Sequence, residues 1–290
     1  MLRKDFTLHI LLDVSGIKRS SYYKWKKNIS VLTKRKQANI NIAEKIEMLY
    51  VKHKGRYGVD RMLHALLDDY KLVVNHKHVY RLMKEYGCLA VIKPKKYFKQ
   101  PERRHSGANI LNRNFQASYP FDKLATDVSV IKKSGKSIYI SPIKDLCTNM
   151  IESWDISYSA SLKIAITPLL SIKDKALPEG TFIHSDQGGL YTSGVFKKTL
   201  EENNFIQSLS RKGTPIDNSP MESFFGTLKS ELLYNPLIKI HNDIEMVAAI
   251  EEYFNYYNND RIQKKLGYLT PAKYKEIQLV KYQQDTNESV

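Results

Sequence analysis

A chain of 290 residues with 42% hydrophobic residues can fill one large domain or two ordinary ones, and its 13 glycines and 10 prolines exclude a fibrous or low-complexity chain. Two cysteines, Cys88 and Cys147, exclude a disulfide scaffold and a four-cysteine zinc knuckle, and no apolar run approaches the ~18 residues a membrane span needs. The net charge of +16 argues for a polyanionic partner. All of that excess is in the front. Residues 1–120 hold 26 Lys+Arg against 9 Asp+Glu, whereas residues 121–290 hold 20 against 21. We read a basic nucleic-acid-binding front and a near-neutral back that carries chemistry, the plainer alternative being a lysine-rich surface without a specific partner. Charged residues interrupt Met1–Ile10, so it is no secretion signal, and the expected compartment is the cytoplasm, at the nucleoid.

In chain order, residues 5–14 read as a helix with Phe6, Ile10 and Leu11 on one face, broken by Ser15-Gly16-Ile17, and a second short helix starts near Ser20. Ile42–His53 is periodic through Ile42, Ile46 and Leu49, and Val59–Leu67 through Met62, Leu63, Leu66 and Leu67. Asn75 is placed to cap a third helix, His76–Tyr86, with Val79, Leu82 and Met83 inward and Gly87 as its stop. That helix carries Lys77, Arg81 and Lys84, the pattern of a helix that lies in a major groove; a solvated bundle face is the alternative. Residues 91–114, with Lys95 and Lys96 among many basic residues, read as a linker that tracks phosphates.

From Phe121 the pattern turns to strands. Expected are Lys123–Lys132, a turn at Ser134-Gly135, Ser137–Leu146 and Ile151–Ser157, then a helix Leu162–Leu170. A short strand Thr181–His184, a helix Val195–Asn203, a strand Phe205–Leu209 and helices near Pro220–Tyr234 and Asp243–Tyr257 follow. This order predicts an α/β chain: an RNase H-like mixed five-stranded sheet with flanking helices, preceded by an all-helical, helix-turn-helix-like region.

Three carboxylates stand out. Asp127 falls inside an expected strand, where Asp is depleted. Asp186 falls just past a strand, where sheet ligands commonly bind. Glu222 opens a helix. If the fold brings them together, their oxygens suit Mg²⁺. Glu222 has an equally good local reading, a capping box with Ser219 at N-cap and Pro220 at N1. Lys229, seven residues on, lies on the same helical face about 10 Å away, either as a phosphate contact or as an exposed lysine. His184 has no accompanying zinc motif, and no nucleophile elbow supports a serine triad.

Taken jointly, Thr126-Asp127, His184-Ser185-Asp186-Gln187-Gly188 and the run Asp217-Asn218-Ser219-Pro220-Met221-Glu222, with 35 residues between Asp186 and Glu222, are specific. So are Tyr256-Tyr257-Asn258, Arg261 and Leu266-Gly267-Tyr268-Leu269-Thr270-Pro271, and in the front His53-Lys54-Gly55-Arg56-Tyr57-Gly58. In these motifs the chain resembles the transposases encoded by the second reading frame of bacterial insertion sequences of the insertion-sequence-three family, with a retroviral-integrase-like catalytic core. The resemblance covers Ser15 to Tyr274. It departs at Leu124, usually tryptophan, at Leu190, where glutamine is common, and at Gln263, where histidine is common.

The resemblance implies a DDE triad of Asp127, Asp186 and Glu222 that holds two Mg²⁺ or Mn²⁺ ions, 3′-end cleavage of element DNA and strand transfer into target DNA. It implies Lys229, Arg211, Lys212 and Arg261 as DNA contacts beside Lys77, Arg81, Lys84, Lys95 and Lys96. Implied partners are double-stranded terminal-repeat and target DNA, further copies of the chain in a synaptic complex, and an upstream reading-frame product or a fusion with it; no membrane is involved. Expected boundaries are an N-terminal helical segment 1–38, a helix-turn-helix-like domain 39–90, a basic linker 91–118, an integrase-like core with C-terminal helices 119–275 and a tail 276–290. A non-catalytic DNA-binding regulator and an RNase H-like nuclease are the competing functions; strand joining separates the transposase from both.

Overall fold

The computed structural model describes residues 6–30, 33–91, 114–173, 175, 177–211 and 215–288; Lys95, Lys96 and Lys212 lie outside the described residues. The chain divides into two units, Met1–Leu89 and Ala90–Val290.

The first unit is helical: α1 Leu8–Ser15, α2 Arg19–Ser30, α3 Lys34–Lys52, α4 Val59–Tyr70 and α5 His76–Glu85. Gly16, at φ +66°, takes the left-handed conformation that ends α1. Only Leu12 of α1 is buried, whereas Phe6 and Ile10, expected on an inward face, are about half exposed. The α3–α5 core is fully buried Ile46, Leu49, Met62, Leu66, Val79, Leu82 and Met83. Ala65 takes the inward place expected of Leu67, which faces out. Asn75 caps α5 as expected, its Oδ1 accepting the Lys77 N–H at 2.9 Å, and Gly87 follows at φ +69°. With Val79, Leu82 and Met83 inward, Lys77, Arg81 and Lys84 stand exposed, while the His78 ring bonds Asn39 on α3 at 2.9 Å.

The second unit is a mixed sheet of β1 Lys123–Thr126, β2 Ser129–Lys133, β3 Lys136–Asp145, β4 Ile151–Ser157, β5 Phe182–Ser185 and β6 Ile206–Leu209. The helices are α6 Lys163–Ile172, α7 Gly194–Glu202, α8 Ser219–Leu228, α9 Asp243–Asn259 and α10 Pro271–Glu288. Six strands replace the expected five because Lys123–Lys132 is broken at Asp127-Val128. Long β3 pairs with β2 through residues 136–140 and with β1 through 143–145, so both pieces share one rank of the sheet. The break has a local cause: Asp127 Oδ1 accepts the Val128 N–H at 2.8 Å and diverts that donor. Ser134 and Gly135, both at positive φ (+50° and +75°), make the tight β2–β3 turn.

Adjacent residues of β1 face opposite layers. Ala125 joins Met221, Phe224, Phe225 and Leu228 of α8 and Ile250, Tyr253, Phe254 and Tyr257 of α9. Leu124 joins Ala165 and Leu169 of α6 and Phe196 and Leu200 of α7, so it packs as an apolar residue should. Residues 276–288, expected in the tail, continue α10, whose first turns are anchored to β4: Lys275 reaches the buried Glu152 carboxylate at 2.7 Å, as does Lys175 at 2.9 Å. Asn258 completes the β4 backbone, accepting the Ile151 N–H and donating to its C=O, both at 2.9 Å. No helix of the described residues is long and apolar enough to cross a membrane.

Candidate active site

β1 and β5 are parallel neighbours with Ala125 opposite His184. Asp127 and Asp186 each come two residues later, so both leave the sheet at the carboxyl ends of adjacent strands, the side of an α/β sheet where ligands bind. Helix α8 buries Met221, Phe224, Phe225 and Leu228 against the sheet, which leaves Glu222 in its exposed first turn.

Electrostatics ties these groups together. The Asp127 carboxyl is pushed up to about 7, first by burial and next by the negative charge of Asp186. The Val128 N–H bond opposes this, Glu222 adds to it, and Lys229 pulls back. Asp186, Glu222 and Lys229 therefore all act on the Asp127 carboxylate. Partial desolvation raises Glu222 as well. The capping box expected at Ser219 does not form: Asn218 is the N-cap, without a side-chain cap bond, after a 3₁₀ turn Pro215–Asn218.

Asp186 is set by its own turn, its Oδ1 accepting the Gly188 N–H at 2.9 Å. A Cβ on residue 188 would stand 2.9 Å from that same oxygen. Gly188→Ala is therefore expected to displace the Asp186 carboxylate and to lower any catalysis that uses it about tenfold or more, since misplacement by ~1 Å can cost a hundredfold. Its thermal midpoint should stay near wild type, which a paired melt and single-turnover assay will check.

The residues before α8 are tied to β5 and β6 by a network centred on His184 and Asp217. His184 is fully buried, with Nε2 2.7 Å from the Asp217 carbonyl and Nδ1 2.9 Å from Ser208 Oγ. A carbonyl only accepts, so Nε2 carries the proton and Nδ1 accepts from Ser208. Burial keeps this ring's affinity for a second proton low. The Asp217 carboxylate in turn grips the Arg211 guanidinium at 2.6 and 2.8 Å and its N–H at 3.1 Å. The signal was present in the sequence as His184 two residues before Asp186 and Asp217 beside Asn218; its partners were not.

The expected DNA contacts divide. Lys77, Arg81 and Lys84 are exposed on α5, and half-buried Lys229 reaches the field of Asp127. Arg211 is already engaged by Asp217. Arg261, expected as a DNA contact, is buried, and Glu231 holds its guanidinium at 2.9 to 3.1 Å in an interior ion pair. Glu231 points inward from a π-helical segment, Lys229–Leu233, that continues α8.

A divalent ion is implied by the donor set, which is all oxygen and hard. The raised Asp127 carboxyl fits it, because a cation relieves the like-charge repulsion that pushes it up. Among the described residues no three His, Cys, Asp or Glu side chains are drawn together as a ready metal cage.

The family model described as an HTH-like domain matches residues 36–96, and two described as an integrase core domain match 117–215 and 222–279. InsK of insertion sequence element IS150 from Escherichia coli K12 is 36% identical over 280 residues, 94% of this chain and 95% of that protein. The transposase for insertion sequence element IS904 of Lactococcus lactis is 31% identical over 239 residues, 81% of this chain and 93% of that protein. The transposase InsF for insertion sequence IS3A of Escherichia coli K12 is 26% identical over 282 residues, 95% of this chain and 96% of that protein. The HTLV-2 integrase catalytic core domain, solved in complex with magnesium, matches 55% of this chain and 99% of its own at 16% identity and a TM-score of 0.43. An HTH-like region followed by an integrase core, carried along nearly the whole length of such relatives, places the chain in the IS3/IS150 family of insertion-sequence transposases.

Proposed function

We propose that this chain transposes an insertion element by phosphoryl transfer: it cuts the 3′ ends of the element and joins them to target DNA. The observation that carries the reading is the shared field at Asp127, where Asp186, Glu222 and Lys229 all act beside two parallel strand ends. Asp127, Asp186 and Glu222 supply oxygen ligands. Two Mg²⁺ or Mn²⁺ ions held there would activate the attacking oxygen and stabilise the leaving one. The α5 face of Lys77, Arg81 and Lys84 binds DNA phosphates and sets the register on terminal repeats. Self-association in a synaptic complex and cooperation with an upstream reading-frame product follow from the same reading.

Lys229 holds the backbone phosphate next to the scissile bond. It carries charge into a site of three acids, and a DNA phosphate needs such a counterweight. Lys229→Ala is expected to slow cleavage of a pre-bound terminal-repeat duplex roughly a hundredfold through misplacement. Lys229→Arg should keep part of the rate, because the charge remains on a differently shaped group. Single-turnover rates measured side by side decide it: a wild-type rate for the alanine variant reduces Lys229 to a surface charge.

A further inference from the structure

We infer that Asn218 is a positioning residue: it ties the start of α8, and so Glu222, to the strand end that carries Asp127. The inference rests on the metal-binding reading of the three carboxylates.

Asn218 is 4% exposed and immediately precedes α8. Asparagine is a favoured N-cap residue because its side-chain oxygen accepts a free helix N–H. Here the side chain makes no cap bond. Instead Nδ2 donates to the Thr126 carbonyl at 3.3 Å, and Thr126 is the last residue of β1, next to Asp127. The Thr126 carbonyl only accepts, so it favours this amide orientation; the flipped form would set Oδ1 against that oxygen. In this orientation Oδ1 is buried with no hydrogen-bond partner among the described residues. An unpaired buried acceptor is destabilising and calls for an explanation. A cap bond would have satisfied it; the chain forgoes the cap and keeps the link to β1.

The neighbouring residue makes the matching link. The Asp217 carbonyl accepts from His184 Nε2 at 2.7 Å, and His184 lies on β5, two residues before Asp186. Consecutive residues at the start of α8 are thus bonded to the two strands whose ends carry the aspartates. The apolar face of α8 holds the helix on the sheet, and these two polar bonds fix its start just before Glu222. Of the two, Asn218 is the one whose side chain has no other task in the described structure.

The test uses the full chain, Mn²⁺ and a terminal-repeat duplex, with Asn218→Ala, Glu222→Gln and the double variant. Equilibrium Mn²⁺ affinity is read first, single-turnover cleavage second, and the thermal midpoint checks folding. Supporting residues around metal ligands typically contribute 10–100-fold to affinity or activity. Asn218→Ala should therefore weaken Mn²⁺ binding about tenfold and slow cleavage by roughly ten- to a hundredfold. In the Glu222→Gln background it should leave Mn²⁺ affinity unchanged, because Asn218 acts through Glu222. Should the alanine variant melt early, Asn218→Asp, equal in size but without the Nδ2 donor, is expected to show the same background-dependent loss. An equal loss in both backgrounds, or wild-type affinity and rate in the single variant, overturns the inference while leaving the carboxylate reading in place. A wild-type protein that binds Mn²⁺ no better than Glu222→Gln overturns that reading, and this inference with it.

Discussion

Asp186→Asn is expected to lower cleavage of terminal-repeat DNA by about a thousandfold or more, the scale on which removal of one preorganised electrostatic group from an active site is felt. The substitution keeps size and shape. The Gly188 N–H bond to Oδ1 survives in the amide, so the turn after β5 should hold and the melt should change little. What goes is a negative oxygen ligand at the end of β5. The same loss is expected for Asp127→Asn and Glu222→Gln, and the three should not add: once one ligand is gone, the others no longer hold a productive ion. Asp127→Asn carries an additional signature in the metal-free protein. Its carboxyl is raised to about 7 in the fold from an ordinary value near 4, so between these pH values the native state binds more protons than the unfolded one. Stability contributed by this site is accordingly lost as pH rises through that window. An amide cannot ionise, so the thermal midpoint of Asp127→Asn relative to wild type should be higher at pH 8 than at pH 5. A variant that is dead and yet more stable above pH 7 is what a functional carboxylate held under strain predicts.

Glu231→Ala is expected to destabilise the protein by about 3–5 kcal/mol in urea unfolding, the cost of leaving a buried charge without its partner. Glu231 accepts from both Nε and Nη2 of Arg261 and from the Tyr253 hydroxyl at 3.1 Å, all in the interior. Removing the acid strands a guanidinium and a phenol at once. Arg261→Met in the same chain should recover much of the loss, because two apolar groups need no partners. A single variant as stable as wild type would place Arg261 in solvent and reopen it as a DNA contact. The π-helical segment that follows α8 carries Glu231 buried, while Lys229, at its start, lowers the proton affinity of Asp127.

Elements specified by neighbouring residues were legible in the sequence. Ile151–Ser157 is β4, and Asn75 and Gly87 bound α5, because caps and alternation are local signals. The Ser134-Gly135 turn was legible for the same reason. Features that depend on distant partners were not. The break at Asp127 arises where β3 is long enough to pair with two segments, and a side chain takes the intervening donor. The capping box at Ser219 gave way to a 3₁₀ turn held by His184 from 33 residues away. The interior ion pair of Arg261 was not legible because Glu231 lies 30 residues earlier. The anchor of α10 on β4 was not legible because Glu152 lies 123 residues from Lys275. The three carboxylates were legible as residues; their common field required the parallel pairing of β1 and β5.

The central claim is that these carboxylates hold ions that touch the scissile phosphate. Sulfur in place of a non-bridging oxygen of that phosphate tests it directly, because Mg²⁺ is a hard ion that binds oxygen, whereas softer Mn²⁺ tolerates sulfur. Single-turnover cleavage of the sulfur-substituted terminal repeat by the full chain should be slow in Mg²⁺ and restored in Mn²⁺, with none in EDTA. Equal rates in the two metals, or cutting in EDTA, would contradict the account.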